Sequence, residues 1–346
     1  MNKKQTTWLI VAAAIFVVTG VISVITNAIS AKLTSDNGEK ASAGFDSFMS
    51  SLYGRDNEAA LADMPVAEDF IAVVPIEGTI QASSDNSGIY GTGTGYNHNL
   101  LMGYINKLIS NNSNKGIILR MNTPGGTVYE ADELYLKLKE YKEKTNRPIW
   151  VYMESSCCSG GVYIASAADE QYANRITTTG SIGVIISNYD MSGLYEKLGI
   201  REDNIVSAQN KDMGTAGKAM TSEQRGIYQS IVDEYYEQFV NIVAEGRSMS
   251  VADVKKLADG RIYTAKQAVE NGLIDGIKGS EEFDAYVREK SGVDTFYEPK
   301  GTGGYLSALM GSVVSSKEKS EAEVLVDLMN QLGSGVPMYY AEPIGE

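Results

Sequence analysis

Two short segments carry the residue types that acyl-transfer chemistry needs. Cys158-Ser-Gly-Gly161 sets a hydroxyl ahead of two glycines, where a strand pattern over Pro148–Met153 and a run of small residues give way to an Ala-rich helix. A serine at such a junction has an uncrowded hydroxyl, and the free N–H groups and dipole of the helix start favour a developing oxyanion. Serine is equally an ordinary helix N-cap, so Ser159-Gly-Gly by itself leaves both readings open. Asn122-Thr-Pro-Gly-Gly126 repeats the architecture one unit earlier, a buried-type strand delivering glycines to a helix start. On neighbouring parallel strands, an N–H of Gly125 or Gly126 and that of Gly160 would form a two-donor oxyanion hole. Otherwise both are plain turns in a parallel sheet.

A serine nucleophile also needs a base. The chain has a single histidine, His98, in a loop rich in Gly, Tyr and Asn where a histidine is ordinarily solvated. Three-histidine zinc sites and the H-E-x-x-H pattern are thereby excluded, and a Ser-His-Asp triad has only His98 to draw on. Lysine becomes the alternative. Lys211 lies in Ser207-Ala-Gln-Asn-Lys-Asp-Met-Gly214, a loop ahead of a helix starting near Thr221. At an ordinary pKa of about 10.4 a lysine is neutral only about 0.04% of the time at pH 7. Desolvation by two or three units, at about 3 to 4 kcal/mol, is what would make it a base. The two cysteines, Cys157 and Cys158, are adjacent, which rules out a relaxed disulfide between them. They are small enough to pack as buried hydrophobes, and as rival nucleophiles they would have only His98 to activate them.

These segments sit on alternating elements. Ile71-Ala-Val-Val-Pro-Ile-Glu-Gly-Thr-Ile80 is a strand signal. A helical pattern over Asn99–Ser110, a strand over Lys115–Met121, a helix from about Val128 to Thr145 and the strand Pro148–Met153 follow. A short strand is expected near Gln171–Asn174, and Thr221 to about Gly292 reads as three or four helices joined by turns at Gly-Arg-Ile-Tyr263 and Asn-Gly-Leu-Ile274. The alternation predicts an α/β fold with a largely parallel sheet covered by helices.

Outside this body the composition changes. Trp8–Ile29 is a stretch of 22 uncharged residues, long enough as a helix to cross a hydrocarbon core of about 30 Å. We read residues 8–29 as an uncleaved transmembrane helix with residues 1–7, including Lys3 and Lys4, on the cytoplasmic side; the alternative is a cleaved signal peptide, against which stand the length of the apolar run and the lack of a clean A-x-A site after it. Residues 30–69 read as an acidic linker or stalk, with eight acidic and two basic residues from Thr34 to Asp69. The catalytic body is expected over residues 70–296. Residues 297–346 form a tail or arm with an apolar run over Tyr305–Val314 and a possible helix over Ala322–Leu332. The net charge of −14 across 346 residues argues against a nucleic-acid partner.

Taken together and in order, Ile71–Gln81, Leu119-Arg-Met-Asn-Thr-Pro-Gly-Gly126, Cys158-Ser-Gly-Gly161, Thr179-Gly-Ser-Ile-Gly-Val184, Lys211-Asp212 and Asp259-Gly-Arg-Ile-Tyr263 resemble the signal peptide peptidase A family over about Phe70 to Gly279. The resemblance implies a crotonase-like or Clp-protease-like fold of repeated ββα units and a serine-lysine dyad. By motif position Ser159 is its nucleophile and Lys211 its general base, with Ser181 hydrogen-bonding the lysine to aim it. Cys157 and Cys158 depart from the small residues expected before the nucleophile. The single serine and single lysine motif match the short, unduplicated members. Such proteins assemble into rings, so a homo-oligomer is implied, with Ser159 and Lys211 able to come from different subunits. No metal or organic cofactor is expected. Substrates would be apolar, extended peptides such as signal peptide remnants, pairing with an edge near Ile182, Gly183 and Val184. The location implied is a bacterial cell membrane, single-pass, with the catalytic domain outside the cytoplasm. Two rivals stand beside this reading: an inactive membrane scaffold of the same fold and a crotonase-type acyl-CoA enzyme.

Overall fold

The computed structural model describes residues 64–82, 95–299 and 338–340. The expected amino-terminal segment, transmembrane helix and most of the stalk lie outside these residues, as do the apolar run and helix expected in the tail. Among the described residues, no helix is long and apolar enough to cross a membrane.

Among the described residues the fold is a mixed α/β arrangement on an eight-stranded sheet, with a separate two-stranded sheet beside it. Strand β1 (Phe70–Glu77) is followed by helix α1 (His98–Ser110), β2 (Asn114–Thr123), the short β3 (Gly125–Thr127) and α2 (Val128–Thr145). Next come β4 (Ile149–Cys158), α3 (Gly160–Ala165), β5 (Glu170–Ala173), β6 (Thr178–Gly180) and α4 (Ser192–Leu198). The carboxyl half holds α5 (Ser222–Arg247), α6 (Val251–Leu257), β7 (Ile262–Thr264), α7 (Ala265–Glu270), β8 (Gly276–Ile277), α8 (Ser280–Ser291) and β9 (Phe296–Tyr297), and Met338–Tyr340 forms β10. The main path of the sheet runs β7-β6-β4-β2-β1-β9, and β5 joins β4 to β8.

β1, β2 and β4 are parallel neighbours. Their apolar residues form nearly continuous buried runs, Phe70–Val74 and Ile149–Met153 among them. A strand covered on both faces loses the alternation of a half-exposed one, which is why these segments read as unbroken apolar stretches. On one face α1 and α2 pack together, burying Leu101, Ile105, Leu134 and Leu138. On the other, α8 places Phe283 and Val287 against Ile71, Ile118, Trp150 and Tyr152. The Tyr152 and Phe283 rings lie 4.9 Å apart.

One irregularity aims the chain at its chemistry. Met121 pairs with Met153, but Thr123 pairs with Cys157, so β4 spends two more residues than β2 over the same interval. A bulge of this kind bends a strand. The first half of β4 pairs with β5 over Trp150–Met153, whereas Ser156–Cys158 pairs with β6. The bent end of β4 delivers Ser159.

Gly-Arg-Ile-Tyr263, expected to be a connecting turn, includes strand β7, which pairs antiparallel with β6. Three residues are too few to show a period, and the ladder rather than local preference makes them a strand. Helix α4 was likewise not anticipated; it buries no residue, so no apolar stripe marks it. Of the three or four helices expected between Thr221 and about Gly292 there are four, α5 opening with a capping box from Thr221 and Gln224.

Candidate active site

Ser159 stands between the end of β4 and the first residue of α3. Its N–H donates to the carbonyl oxygen of Gly180 at 2.8 Å, and its carbonyl accepts the N–H of Tyr163 at 3.0 Å. The backbone there is held at φ 51° and ψ −112°. Left-handed φ at a non-glycine residue costs on the order of 1 to 3 kcal/mol and persists where the surroundings over-determine it. Only 1% of Ser159 is exposed, and its hydroxyl oxygen has no hydrogen-bond partner among the described residues. A buried hydroxyl left unsatisfied on a strained turn is arranged for something other than stability.

Gly161 is required by the same turn. A Cβ there would lie 2.8 Å from the Thr123 methyl and 3.2 Å from the Cys157 sulfur. As the first residue of α3, Gly160 presents an N–H that no preceding helical carbonyl can accept.

The facing turn is tighter still. Ile80 N–H donates to Gly125 O at 2.8 Å and Thr127 N–H to Ile80 O at 2.9 Å, fixing one edge of β3. A Cβ on Gly126 would sit 1.8 Å from the Ile80 oxygen, so no side chain fits. Gly125 N–H donates to Thr123 Oγ1 at 3.1 Å, while Thr123 Oγ1 donates to Gly78 O at 2.6 Å. Of the two glycines, Gly126 therefore has the N–H that strand alternation turns toward the outer edge. Along that edge runs β10, antiparallel, with Tyr339 opposite Gly126 and Tyr340 opposite Gly125.

Ser181 is a second residue at left-handed φ, 53°. Its N–H donates to Arg261 O at 2.8 Å, and the preceding Gly180, at φ 89°, leaves no room for a Cβ because Tyr263 Cδ2 would be 2.6 Å away. Asp259-Gly-Arg-Ile-Tyr263 is thus the buttress behind Ser181. Ser181 is buried, and its hydroxyl makes no hydrogen bond among the described residues. Ile182 is wholly buried, backbone included, so of the three residues expected to line a substrate edge only the half-buried Gly183 and Val184 are open to a ligand in the single chain.

Lys211 is not brought to Ser159 within the single chain. It lies exposed in a turn closed by its own N–H to Ala208 O at 3.0 Å, and its ammonium group has no partner among the described residues. The neighbouring Asn210 and Asp212 are engaged by Glu223 and Lys218.

The alternatives to lysine are used up elsewhere. Contrary to the solvated loop position expected for it, His98 is only 6% exposed, at the start of α1. The Tyr96 hydroxyl and the Glu133 carboxylate occupy its two ring nitrogens at 2.7 and 3.0 Å. Burial pushes the Cys157 thiol well up, with Cys158 adding to it, and burial also raises Cys158, so both stay protonated at neutral pH. Among the described residues, no cluster of His, Cys, Asp and Glu could hold a metal ion.

Residues 141–294, which include Ser159, Ser181 and Lys211, match peptidase family S49. Over 254 residues the chain is 38% identical to an Enterococcus faecium protein named for signal peptide peptidase SppA, covering 71% of this chain and 74% of that one. The chain belongs to peptidase family S49. This S49 member is a serine peptidase. It is also 32% identical over 215 residues to Protease 4 of Haemophilus influenzae, covering 61% of this chain and 33% of that one. With the chloroplastic serine protease SPPA of Arabidopsis thaliana it shares 30% identity over 180 residues, 52% of this chain and 26% of the relative.

Several residues that shape the S49 site were not singled out by sequence reasoning: Thr123, Ile80, Arg261 and the β10 strand. Thr123, Ile80 and Arg261 do lie inside the motifs, but a side-chain bond to a turn N–H and backbone buttresses leave no spacing signal. The β10 strand is visible only as Tyr339-Tyr340, whose partner lies more than two hundred residues earlier.

Proposed function

We propose that this peptidase cuts apolar, extended peptides such as signal peptide remnants, with Ser159 as nucleophile and Lys211 as general base. The observation that carries the reading is the outer edge of Gly125–Thr127. It takes an extended backbone antiparallel, β10, along the glycines of the oxyanion turn. A peptide bound in this way gains main-chain hydrogen bonds while its side chains alternate into pockets.

In the reaction, neutral Lys211 takes the Ser159 proton as the hydroxyl oxygen attacks the scissile carbonyl carbon. The N–H groups of Gly160 and Gly126 stabilise the oxyanion. The tetrahedral intermediate collapses, the C–N bond breaks, and protonated Lys211 gives the leaving amine its proton. Water, deprotonated by Lys211, then attacks the acyl-enzyme and releases Ser159. Ser181 aims the lysine, and the backbone of Gly183 and Val184, next to the buried Ile182, binds the other side of the substrate. Neither a metal nor an organic cofactor takes part.

The lysine is supplied by a second copy of the chain. In favour of this, among the described residues Lys211 is exposed and without a partner, while the Ser159 hydroxyl is buried and unsatisfied. The loop and helix around it also expose Leu194, Leu198, Ile200 and Ile205, apolar surface for a homo-oligomer to cover. The finer fold is a crotonase-like or Clp-protease-like repetition of ββα units, of which β2-β3-α2 is one. Residues 8–29 anchor the protein in a bacterial membrane, with the catalytic body outside the cytoplasm.

The test is cleavage of an apolar fluorogenic peptide by the full chain in detergent, compared with Ser159→Ala and Lys211→Ala across pH. Loss in both variants with assembly intact, and a wild-type rate that rises through a basic pKa, is the expected result. Full activity in either variant contradicts the assignment.

A further inference from the structure

Helix α3 is only six residues long, yet it must hold Ser159 in a strained conformation. Its fourth residue, Tyr163, is fully buried, with its ring against Tyr135 on α2 and Phe239 on α5 at 5.5 and 5.2 Å. Ring packing fixes depth but tolerates sliding. The hydroxyl supplies the directional constraint: Tyr163 donates to Asp132 Oδ1 at 2.5 Å. Gln238 on α5 donates to the same Asp132 oxygen at 3.1 Å and to the Tyr163 hydroxyl at 2.7 Å. Asp132 has no ion-pair partner among the described residues, so these two donors are what its carboxylate is held by.

The three residues lie on three different elements. Asp132 stands on α2, whose first residue directly follows the oxyanion strand Gly125–Thr127. Tyr163 stands on the helix that begins next to Ser159. Gln238 stands on α5, which follows the Lys211 loop. A hydroxyl-to-carboxylate bond is short, strong and directional, and so it sets the separation of the elements it joins.

We infer that Tyr163 and Asp132, closed by Gln238, are positioning residues that set the distance between the Ser159 hydroxyl and the Gly126 turn. The clamp touches neither substrate nor reacting atoms and works through the placement of α3 against α2. This inference rests on Ser159 being the nucleophile. A misplacement of about 1 Å remote from the chemistry can cost on the order of a hundredfold in rate, so a loosened clamp is expected to cost about tenfold.

The test measures kcat and KM per active site, with sites counted by a fluorophosphonate probe, for Tyr163→Phe, Asp132→Leu, Asp132→Asn and the Tyr163→Phe/Asp132→Leu double variant. Tyr163→Phe and Asp132→Leu are expected to lower kcat about tenfold with KM within about twofold, and the double variant to be no worse than the poorer single one. Asp132→Asn, which keeps an acceptor oxygen, recovers most of the loss. A residue that only supports folding would lower Tm and the number of titrated sites while leaving kcat per site at the wild-type value, and that outcome overturns the inference. Ser159→Ala is carried alongside. Undiminished labelling of that variant would refute the nucleophile itself, a failure separate from that of the clamp.

Discussion

The backbone N–H of Ser159 is bonded to the carbonyl oxygen of Gly180 at 2.8 Å, one residue before Ser181. This bond ties two left-handed serine turns together, Ser159 at φ 51° and Ser181 at φ 53°. It also uses the N–H of Ser159, and the oxyanion hole proposed above accordingly draws on Gly160 and, across the site, on Gly126. Two strained positions joined by one hydrogen bond are what a pre-organised site requires, since neither turn would hold its geometry alone.

The Gly126 position gives the sharpest steric prediction. Gly126→Ala puts a methyl group 1.8 Å from the Ile80 carbonyl oxygen, so β3 must shift away from Ile80. Loss of one oxyanion donor costs on the order of a hundredfold to a thousandfold in kcat, and a fall of that size is expected with the far-ultraviolet spectrum unchanged. Activity within about threefold of wild type, read against that scale, would remove Gly126 from the oxyanion hole.

The cysteines should be chemically silent. Burial raises both thiols, so little thiolate exists at neutral pH. Native enzyme incubated with iodoacetamide at pH 7 is expected to keep almost all its peptidase activity, with both cysteines unmodified by mass spectrometry. Rapid inactivation matched by modification of Cys158 would contradict this.

How the tail meets the site is open to a direct test. Because β10 lies on the edge proposed for substrate, the two compete for it. Removing residues 336–346 is expected to lower KM severalfold and leave kcat unchanged in steady-state assays. An unchanged or higher KM would mean that substrate binds along another edge.

Acid stability should depend on Glu170. Burial pushes its carboxyl up, but the Lys290 ammonium and the Tyr286 and Tyr172 hydroxyls outweigh this and hold it below its usual value. The two hydroxyls donate at 2.6 and 2.9 Å. A depressed folded-state pKa gives stability that is present above the unfolded value, about 4.3, and lost as pH falls through the folded one. Glu170→Gln is therefore expected to have a lower Tm than wild type near pH 6 to 7, and the gap should close on acidification below about pH 4. A gap that stays constant or widens in acid would refute the assignment.

The sequence carries the central strands and their glycine turns openly, because each is encoded locally. Ile117–Leu119 and Ile149–Met153 are apolar runs that only a doubly covered strand needs, and Asn122-Thr-Pro-Gly-Gly126 and Ser159-Gly-Gly spell their own turns. What is not legible depends on contacts between distant segments. Ile262–Thr264 and Met338–Tyr340 are strands only because β6 and β3 offer them ladders. The left-handed φ of Ser159 and Ser181 has no compositional mark, since it is imposed by the bent end of β4 and the Arg261 buttress. His98 read as a loop residue because Glu133, which captures it, lies thirty-five positions away on α2. What Lys211 meets is not legible either, since among the described residues its ammonium group has no partner.

The most direct test of the Ser159 and Lys211 assignment, and of their supply by different subunits, is to co-assemble Ser159→Ala with Lys211→Ala and assay the purified mixed complex. Each variant alone is expected to be inactive. In a randomly mixed ring where every site takes its serine from one copy and its lysine from the next, about a quarter of the sites are intact, and activity should return to that level. A mixed complex that stays inactive would place both residues in one chain, and activity in either pure variant would show that the chemistry belongs to other residues.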